Sequence, residues 1–359
     1  MNIHEATRLY EAWLAKQTPL YRAHIGLKHA LMKESAFAFL RATFYRWMQL
    51  WPEVCADLIT APTVLAIGDL HVENFGTWRD VDGRLVWGIN DFDEVYQLPY
   101  TIDLVRLASS ALLAITDDQL ALKPKEACDA ILTGYKQGIE LGGAPVVLAE
   151  KHKWLRAVAV SKLRDPVRFW RKLDAFPKVT GAVPAEAIKA IERLMPERVR
   201  SYRIVRRVAG LGSLGRHRFV AIADWHGGQI AREAKALVPS ACVWARNGKG
   251  AKTIFYQTVL DRAVRCRDPF VHLEGSWIVR RLSPDCSRIE LASLPKERDE
   301  YRILYNMGWE TANVHLGTPR ATRNVTRDLT RRPSRWLHTN AKTITKVLNR
   351  DWKDWKNST

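Results

Sequence analysis

Residues 63–94, TVLAIGDLHVENFGTWRDVDGRLVWGINDFDE, leave this chain few ways to fold. TVLAI (63–67) is a short apolar run that predicts a buried strand. GDLHVEN is polar and has to be a loop. FGTW (75–78) is a second strand, DVDG (80–83) a turn with glycine where positive φ is tolerated, and RLVWGI (84–89) the returning strand of a hairpin. NDFDE then puts Asp91, Asp93 and Glu94 at the strand end. Pro99 marks a break, and TIDLVRLASSALLAI (101–115) is a helix. Thr101 is its expected cap, and Asp103 falls in the first turn, where the helix dipole favours an anion. Because a hairpin returns the chain on itself, Asp91 is expected to emerge beside Asp69 and Asn74.

Three oxygen-bearing side chains converging on one point suit a hard cation. Mg2+ is the natural choice, since it keeps waters and shares phosphate oxygens. Asn74 and Asp91, with Asp93 as a further candidate, would hold the metal. Asp69 would then orient or deprotonate an attacking hydroxyl, and Asp69 and His71 are the candidate catalytic residues. Two other readings compete. GDLH also looks like the first box of binuclear metallophosphoesterases, but their further GD-x-x-D and GN-H boxes are missing downstream. Alternatively Asp69 and Asn74 merely cap a turn, by the local bonding these residue types favour. That explains each residue alone but not a convergence with Asp91 and Asp93.

A chemistry of phosphates needs something to cover them. The region before residue 60 supplies no such loop, since HEATRLYEAWLA and SAFAFLRATFYRWMQLW (35–51) both read as helices. The candidate lies later, in VAGLGSLGRHRFVAIADW, where Gly210, Gly212 and Gly215 form G-x-G-x-x-G around Ser213. In a dinucleotide-binding fold a helix follows that loop. Here the following residues are β-branched and aromatic and predict a strand, so the arrangement is strand, glycine loop, strand, in which backbone N–H groups close over phosphates. A third strand, QIAREAKAL, offers Arg232 and Lys235 as phosphate-pairing cations. Glu233 can pair such a cation only if its side chain points to the same face. WIVRRL (277–282) predicts a buried strand, with Arg280 or Arg281 toward the site or simply solvated. His315, in ANVHLG, reads as a packing histidine.

Charge matters to the choice of partner. The chain of 359 residues carries a formal net charge of +18, concentrated at 151–172, at 198–207 and from Arg320 onward. Such runs are most often solvated helix faces, yet they also attract polyanions. Trp154, Phe169, Trp170 and Tyr202 are interleaved there, as nucleic-acid binding requires and as helix packing also explains. No apolar run approaches the ~18 residues a membrane span needs. The start of the chain lacks the apolar centre of a secretory signal. Five widely spaced cysteines with no CxxC pair argue for reduced thiols in a cytoplasm and against a zinc site.

GDLHVEN is similar to the HGDxHxxN loop of the aminoglycoside and choline phosphotransferases, and NDFD to their later metal-binding Asp and to the Asp-Phe-Gly of protein kinases. The whole chain resembles the domain of unknown function 2252 family of the protein-kinase-like group. The resemblance runs through SAFAFLRA, GDLHVENFG, INDFDE, IDLVRLASS, VAGLGSLGRHRFV, REAKALVPSA, WIVRRLSPD and MGWETANVHLG. It implies ATP and Mg2+, with Asp69 as the catalytic Asp, Asn74 and Asp91 as metal ligands, and Gly210, Gly212 and Gly215 as the phosphate loop. Where the family has KEA this chain has REA, so Arg232 stands at the expected lysine and Lys235 is its substitute.

The expected fold is α+β, a two-lobed protein-kinase-like fold, circularly permuted so that the glycine-rich β lobe follows the catalytic loop. A helical lobe with the catalytic loop would span 1–200, the nucleotide-binding lobe 201–295, and C-terminal helices 296–359 would return to the first. The expected activity is ATP- and Mg2+-dependent transfer of a phosphoryl or nucleotidyl group to an unidentified hydroxyl acceptor, small molecule or protein. A pseudokinase or nucleic-acid-binding module on the basic surface is the alternative.

Overall fold

The computed structural model describes residues 1–148, 152, 155–156, 165–197, 199, 201–286 and 299–358. Helix α1 (Ile3–Gln17) starts at Asn2, whose side chain accepts from the Glu5 N–H, and buries Ile3, Ala6, Thr7, Tyr10 and Leu14 along one stripe. Helix α2 (Arg22–Glu34) follows. The single helix expected over 35–51 is instead two, α3 (Ala36–Ala42) and α4 (Phe44–Val54). The break falls at Thr43, at φ −125° and ψ 42°, where the hydroxyl donates to the Phe39 carbonyl at 2.7 Å. It frees carbonyls of α3, which a helix would otherwise consume, for contacts with the site below.

Strand β1 (Thr63–Ala66) pairs antiparallel with β4 (Tyr96–Pro99). Between them β2 (Phe75–Arg79) and β3 (Leu85–Ile89) form the expected hairpin, in register Phe75 to Ile89. The turn is held by Asp80, whose Oδ1 accepts from the Asp82 and Arg84 N–H groups. Helix α5 (Thr101–Thr116) follows, but Thr101 does not cap it: Tyr100 is the boundary residue, and the Thr101 hydroxyl donates to the Leu58 carbonyl. Then come α6 (Pro124–Glu140) and β5 (Val146–Val147), which joins β3.

After α7 (Pro166–Asp174) and α8 (Ala185–Glu192) come β6 (Arg203–Arg206), β7 (Arg218–Trp225) and β8 (Gly228–Ala236). Helices α9 (Ala241–Ala245) and α10 (Tyr256–Arg262) lead to β9 (Val271–Glu274) and β10 (Trp277–Leu282). These strands form one antiparallel sheet in the order β6-β7-β8-β10-β9. Its pleat sorts side chains to two faces. Phe219, Ala221, Ala234, Trp277 and Val279 face α8, while Val205, Val220, Ile222, Ala231 and Leu282 face Leu173 of α7. The molecule is therefore α+β.

The C-terminal helices α11 (Glu300–His315), α12 (Pro319–Arg331) and α13 (Trp336–Asn357) join the core built by the first 155 residues. Among the described residues, no helix is long and apolar enough to cross a membrane. The five cysteines are all free thiols.

Helices α6 and α11 pack backbone against backbone. A Cβ on Gly134 would overlap the Tyr305 carbonyl, and one on Gly308 the Ile131 carbonyl. Both obstacles are helix backbone, which cannot yield as a side-chain tip can. Gly308→Ala should therefore destabilise the fold by about 1–3 kcal/mol despite alanine's better helix propensity. Gly26→Ala, in α2 with open space around it, should stabilise by up to ~1 kcal/mol. Urea midpoints of the two variants moving the same way would contradict this packing argument.

Candidate functional site

The loop after β1 is held by one buried carboxylate. Asp103 of α5 accepts from the Ile67 and Gly68 N–H groups at 2.7 and 2.8 Å. Its Oδ2 also takes a hydrogen bond from His315 Nε2 at 2.9 Å, and His315 Nδ1 meets the Tyr135 hydroxyl. Asp103 thus supports the loop, and His315 is a satisfied core residue, as the sequence implied for His315. Gly68 is required twice over: its φ is +82°, and a Cβ would stand 2.5 Å from the Glu94 carbonyl.

The loop in turn orders its own side chains. Asn74 Oδ1 accepts from the His71 N–H at 3.2 Å, and His71 Nδ1 accepts from the Glu73 N–H at 3.2 Å. His71 is buried and edge-on to Phe37. Its placement is that of a loop-holding residue on the wall of the site. Glu73 is paired with Arg41 at 2.6 Å.

Asp69 points into a chamber. Its Oδ1 accepts from Arg106 Nε at 3.0 Å and from Arg106 Nη2, and Nη2 also donates to the Leu40 carbonyl freed by the helix break. Arg106 is fully buried between Phe44 and Trp47. Burial pushes the Asp69 carboxyl up to about 6, although Arg106 pulls the other way. Across the chamber lies the glycine loop. A Cβ on Gly212 would be 2.9 Å from the Arg41 carbonyl and 3.3 Å from Asp69 Oδ2, so only glycine lets this backbone lie over the carboxylate. Ser213 Oγ donates to the Gly210 carbonyl and accepts from Arg218 Nη2, and the Gly215 carbonyl accepts from the Tyr21 N–H.

The hairpin brings the acidic residues to the same place. The Asn90 N–H donates to the Asn74 carbonyl, so Asp91 and Asp93 leave β3 beside the Asp69 loop. Lys235 Nζ lies 2.6 Å from the Asp93 carboxylate and 3.4 Å from Asp91, and Arg216 Nη2 is 3.1 Å from Asp93. Burial, and then the neighbouring Asp91, hold the Asp93 carboxyl above its ordinary range. Glu94 Oε2 accepts from the Ser240 hydroxyl and the Ala241 N–H, and burial pushes its carboxyl up to about 7.

Strand pleat separates the two candidate cations of β8. Residues 231, 233 and 235 face the site, whereas Arg232 faces the other way. Its Nε donates to the Leu194 carbonyl and its guanidinium stacks on Phe270, 4.6 Å from the ring centre. The structure thus does not bring Arg232 to the site; Lys235 is the cation there. Glu233, on the same face as Lys235, pairs instead with Arg207, Arg218 and Arg280 at 2.6, 3.4 and 2.7 Å. Burial would raise its carboxyl, but these three arginines hold it well below the usual range. They line a cleft of about 650 Å³ that also takes in Arg41, Asp91 and Gly210. The Asp69 chamber adjoins it, sharing those three residues, with a volume of only about 30 Å³.

Sequence reasoning missed Arg106, Arg216 and Lys28, which form or border the chamber. A signal existed for the first two: Arg106 is the lone cation of an otherwise apolar helix, and Arg216 directly follows the last loop glycine. Parts of the basic runs are engaged within the fold. Arg203 pairs with Asp174, Tyr202 with Glu192, and Phe169 and Trp170 pack on the Leu173 cluster. Trp154 and much of 151–164 lie outside the described residues.

Residues 21–152 match the family model of an uncharacterized protein conserved in bacteria, DUF2252. The match supports that family identification. It covers the Asp69 loop, the hairpin and Asp103, and ends before the glycine loop. No curated protein and no solved structure matches the chain.

Glu94 makes a pH prediction. Its folded carboxyl, at about 7, lies above the unfolded value of ~4.3, so between those values the folded state binds the proton that the unfolded chain has lost. Its contribution to stability falls as pH rises through that window, by up to ~1.4 kcal/mol per pH unit. Glu94→Gln keeps the acceptor and should flatten that decline in urea titrations from pH 4.5 to 7. Equal slopes in both proteins would refute the assignment.

Proposed function

We propose that this protein is an ATP- and Mg2+-dependent phosphotransferase acting on a hydroxyl acceptor. Its fold would be a two-lobed, kinase-like arrangement in which the β6–β10 sheet follows the catalytic loop in the chain. The observation that carries this reading is the meeting, at one cleft, of parts distant in sequence. The glycine loop lies over Asp69, and the β8 lysine reaches the two carboxylates at the hairpin end. Phosphoryl transfer is mostly positioning and charge stabilisation, and these are the parts that supply both.

The oxygen donors fit a hard cation. Asp91 and Asp93 are adjacent carboxylates with Asn74 beside them, and Asp93 is held above its ordinary range by burial and by Asp91, a pair that a divalent ion would stabilise. Asp93 accepts from Lys235 and Arg216 at 2.6 and 3.1 Å; Asp91, farther from Lys235 at 3.4 Å and with a quarter of its side chain exposed, would hold Mg2+ together with Asn74, whose Oδ1 also accepts from the His71 N–H. When bound, the metal would neutralise charge on the phosphates. The 650 Å³ cleft has room for a nucleotide. Its arginines, fixed by Glu233, and the backbone of Gly210 and Gly212 would position the phosphates. Asp69, oriented by Arg106 through Oδ1, would present Oδ2 to the acceptor hydroxyl and take its proton. A carboxyl near 6 is suited to that role at neutral pH.

Calorimetry of ATP with and without Mg2+ tests this. Wild type should bind in a Mg2+-dependent manner and Asp91→Ala should lose that dependence. Lys235→Met should weaken binding at least ~10-fold, about 1.4 kcal/mol, while Arg232→Met stays within ~3-fold. The absence of ATP binding in a folded wild type would sink the proposal. Asp69→Asn should bind nucleotide normally and lose turnover.

A further inference from the structure

Lys28 of α2 is 2% exposed and lines the Asp69 chamber. Its ammonium lies 6.0 and 5.7 Å from the centres of the Tyr10 and Tyr45 rings and makes no ion pair among the described residues. The nearest acidic neighbour on α1, Glu11, is taken by His29 at 2.7 Å. The other wall of the chamber carries a second open donor. Arg216 is also more than nine-tenths buried; one of its nitrogens reaches Asp93, and its Nη1 has no hydrogen-bond partner among the described residues.

The acidic groups of the chamber are already answered. Asp69 has Arg106, Asp93 has Lys235 and Arg216, Asp91 has Lys235, and Glu94 has the Ser240 hydroxyl and Ala241 N–H. Arg41, the remaining cation, has Glu73. Arg41 Nε and Arg106 Nη1 also lack a hydrogen-bond partner among the described residues, but those guanidiniums are ion-paired with Glu73 and Asp69; Lys28 is the chamber cation with no ion pair there, and Arg216 keeps an open edge. A buried charge with no partner is costly, and a ligand's anion would relieve that cost.

Resting on the proposed phosphotransfer, we propose that Lys28 and Arg216 form an anion subsite for the acceptor, which is a small anionic hydroxy compound carrying a carboxylate or phosphate close to its reacting hydroxyl. The chamber's size sets the scale: about 30 Å³ admits two or three water-sized groups, the end of a small molecule and not a nucleotide. Asp69 in the same chamber meets the hydroxyl while the cations take the charge. Cationic acceptors, amino sugars or amino alcohols, would face Lys28 without compensation and be excluded.

The test titrates the full-length protein, without nucleotide, with inorganic phosphate, glycerol 3-phosphate, glycerol and choline. Wild type should bind the two anions and neither of the others. Lys28→Met should lose anion affinity at least tenfold and keep its Mg2+-ATP affinity within about twofold. Its thermal midpoint should also rise, because an unmatched buried charge is gone. Lys28→Gln repeats the comparison should the methionine variant misfold. Anion affinity unchanged in both variants, binding of choline, or wild type that binds neither anion at millimolar concentration would overturn the proposal. An equal loss of ATP affinity would also overturn it, and would assign the lysine to the nucleotide's terminal phosphate. Anion binding through Lys28 in a protein that never binds ATP would leave the subsite standing and remove the phosphotransfer reading instead.

Discussion

Two backbone N–H groups at the end of β1 point into the protein core, where no water can satisfy them. Asp103 accepts both, and His315 and Tyr135 close the network behind it. A buried carboxylate is tolerated only when hydrogen-bonded in this way, and once it is, the groups it binds cannot move independently. The loop carrying Asp69, His71 and Asn74 is thereby tied to α5 and, through His315, to α11. Arg106, one turn beyond Asp103 on the same helix, then fixes the Asp69 side chain. One helix thus sets both the loop backbone and the Asp69 carboxylate, and it is buried along nearly its whole length. Rigid support of this kind is what positioned chemistry needs.

The same economy appears in the five-stranded sheet. Glu233 is fully buried and would be intolerable alone, yet it gathers Arg207, Arg218 and Arg280 into one wall. Arg218 is also bonded to Ser213, which ties the wall to the glycine loop. The loop is pinned on its other side to the start of α2 by the Tyr21 N–H. The cleft is therefore lined by positive charge whose geometry is set before any ligand arrives, which lowers the ordering cost of binding a polyanion.

Burial also explains why the shifted carboxyls of the chamber depart from ordinary values in a common direction. Asp69, Asp93 and Glu94 are all raised, each chiefly by loss of water. Glu233 is the exception because three guanidiniums outweigh its desolvation. These three carboxyls stand within one chamber.

Much of this was legible in the residues alone. The strand, loop and hairpin of 63–89 follow from apolar runs punctuated by Asp and Gly, and the hairpin register alone places Asp91 near Asn74. The strand after the glycine loop was legible from its β-branched residues. What the sequence by itself could not decide were orientations. Arg232 and Lys235 are three apart on β8, and only the register of β8 against β7 and β10 tells which faces the cleft. The family motif favoured Arg232; the pleat gives the position to Lys235, because side chains alternate and 232 and 235 differ in parity. The helix break at Thr43 was equally hidden, since local propensity permits a continuous helix, while the Leu40 carbonyl at the break also accepts from Arg106, remote in sequence. Lys28 and Arg216 looked like ordinary basic residues until packing removed their water, paired Arg216 only in part and gave Lys28 two aromatic rings but no ion pair among the described residues. Sequence thus determined which elements form and which chemistry they can carry. Tertiary structure decided which charges meet, because that depends on the relative placement of elements that no local pattern encodes.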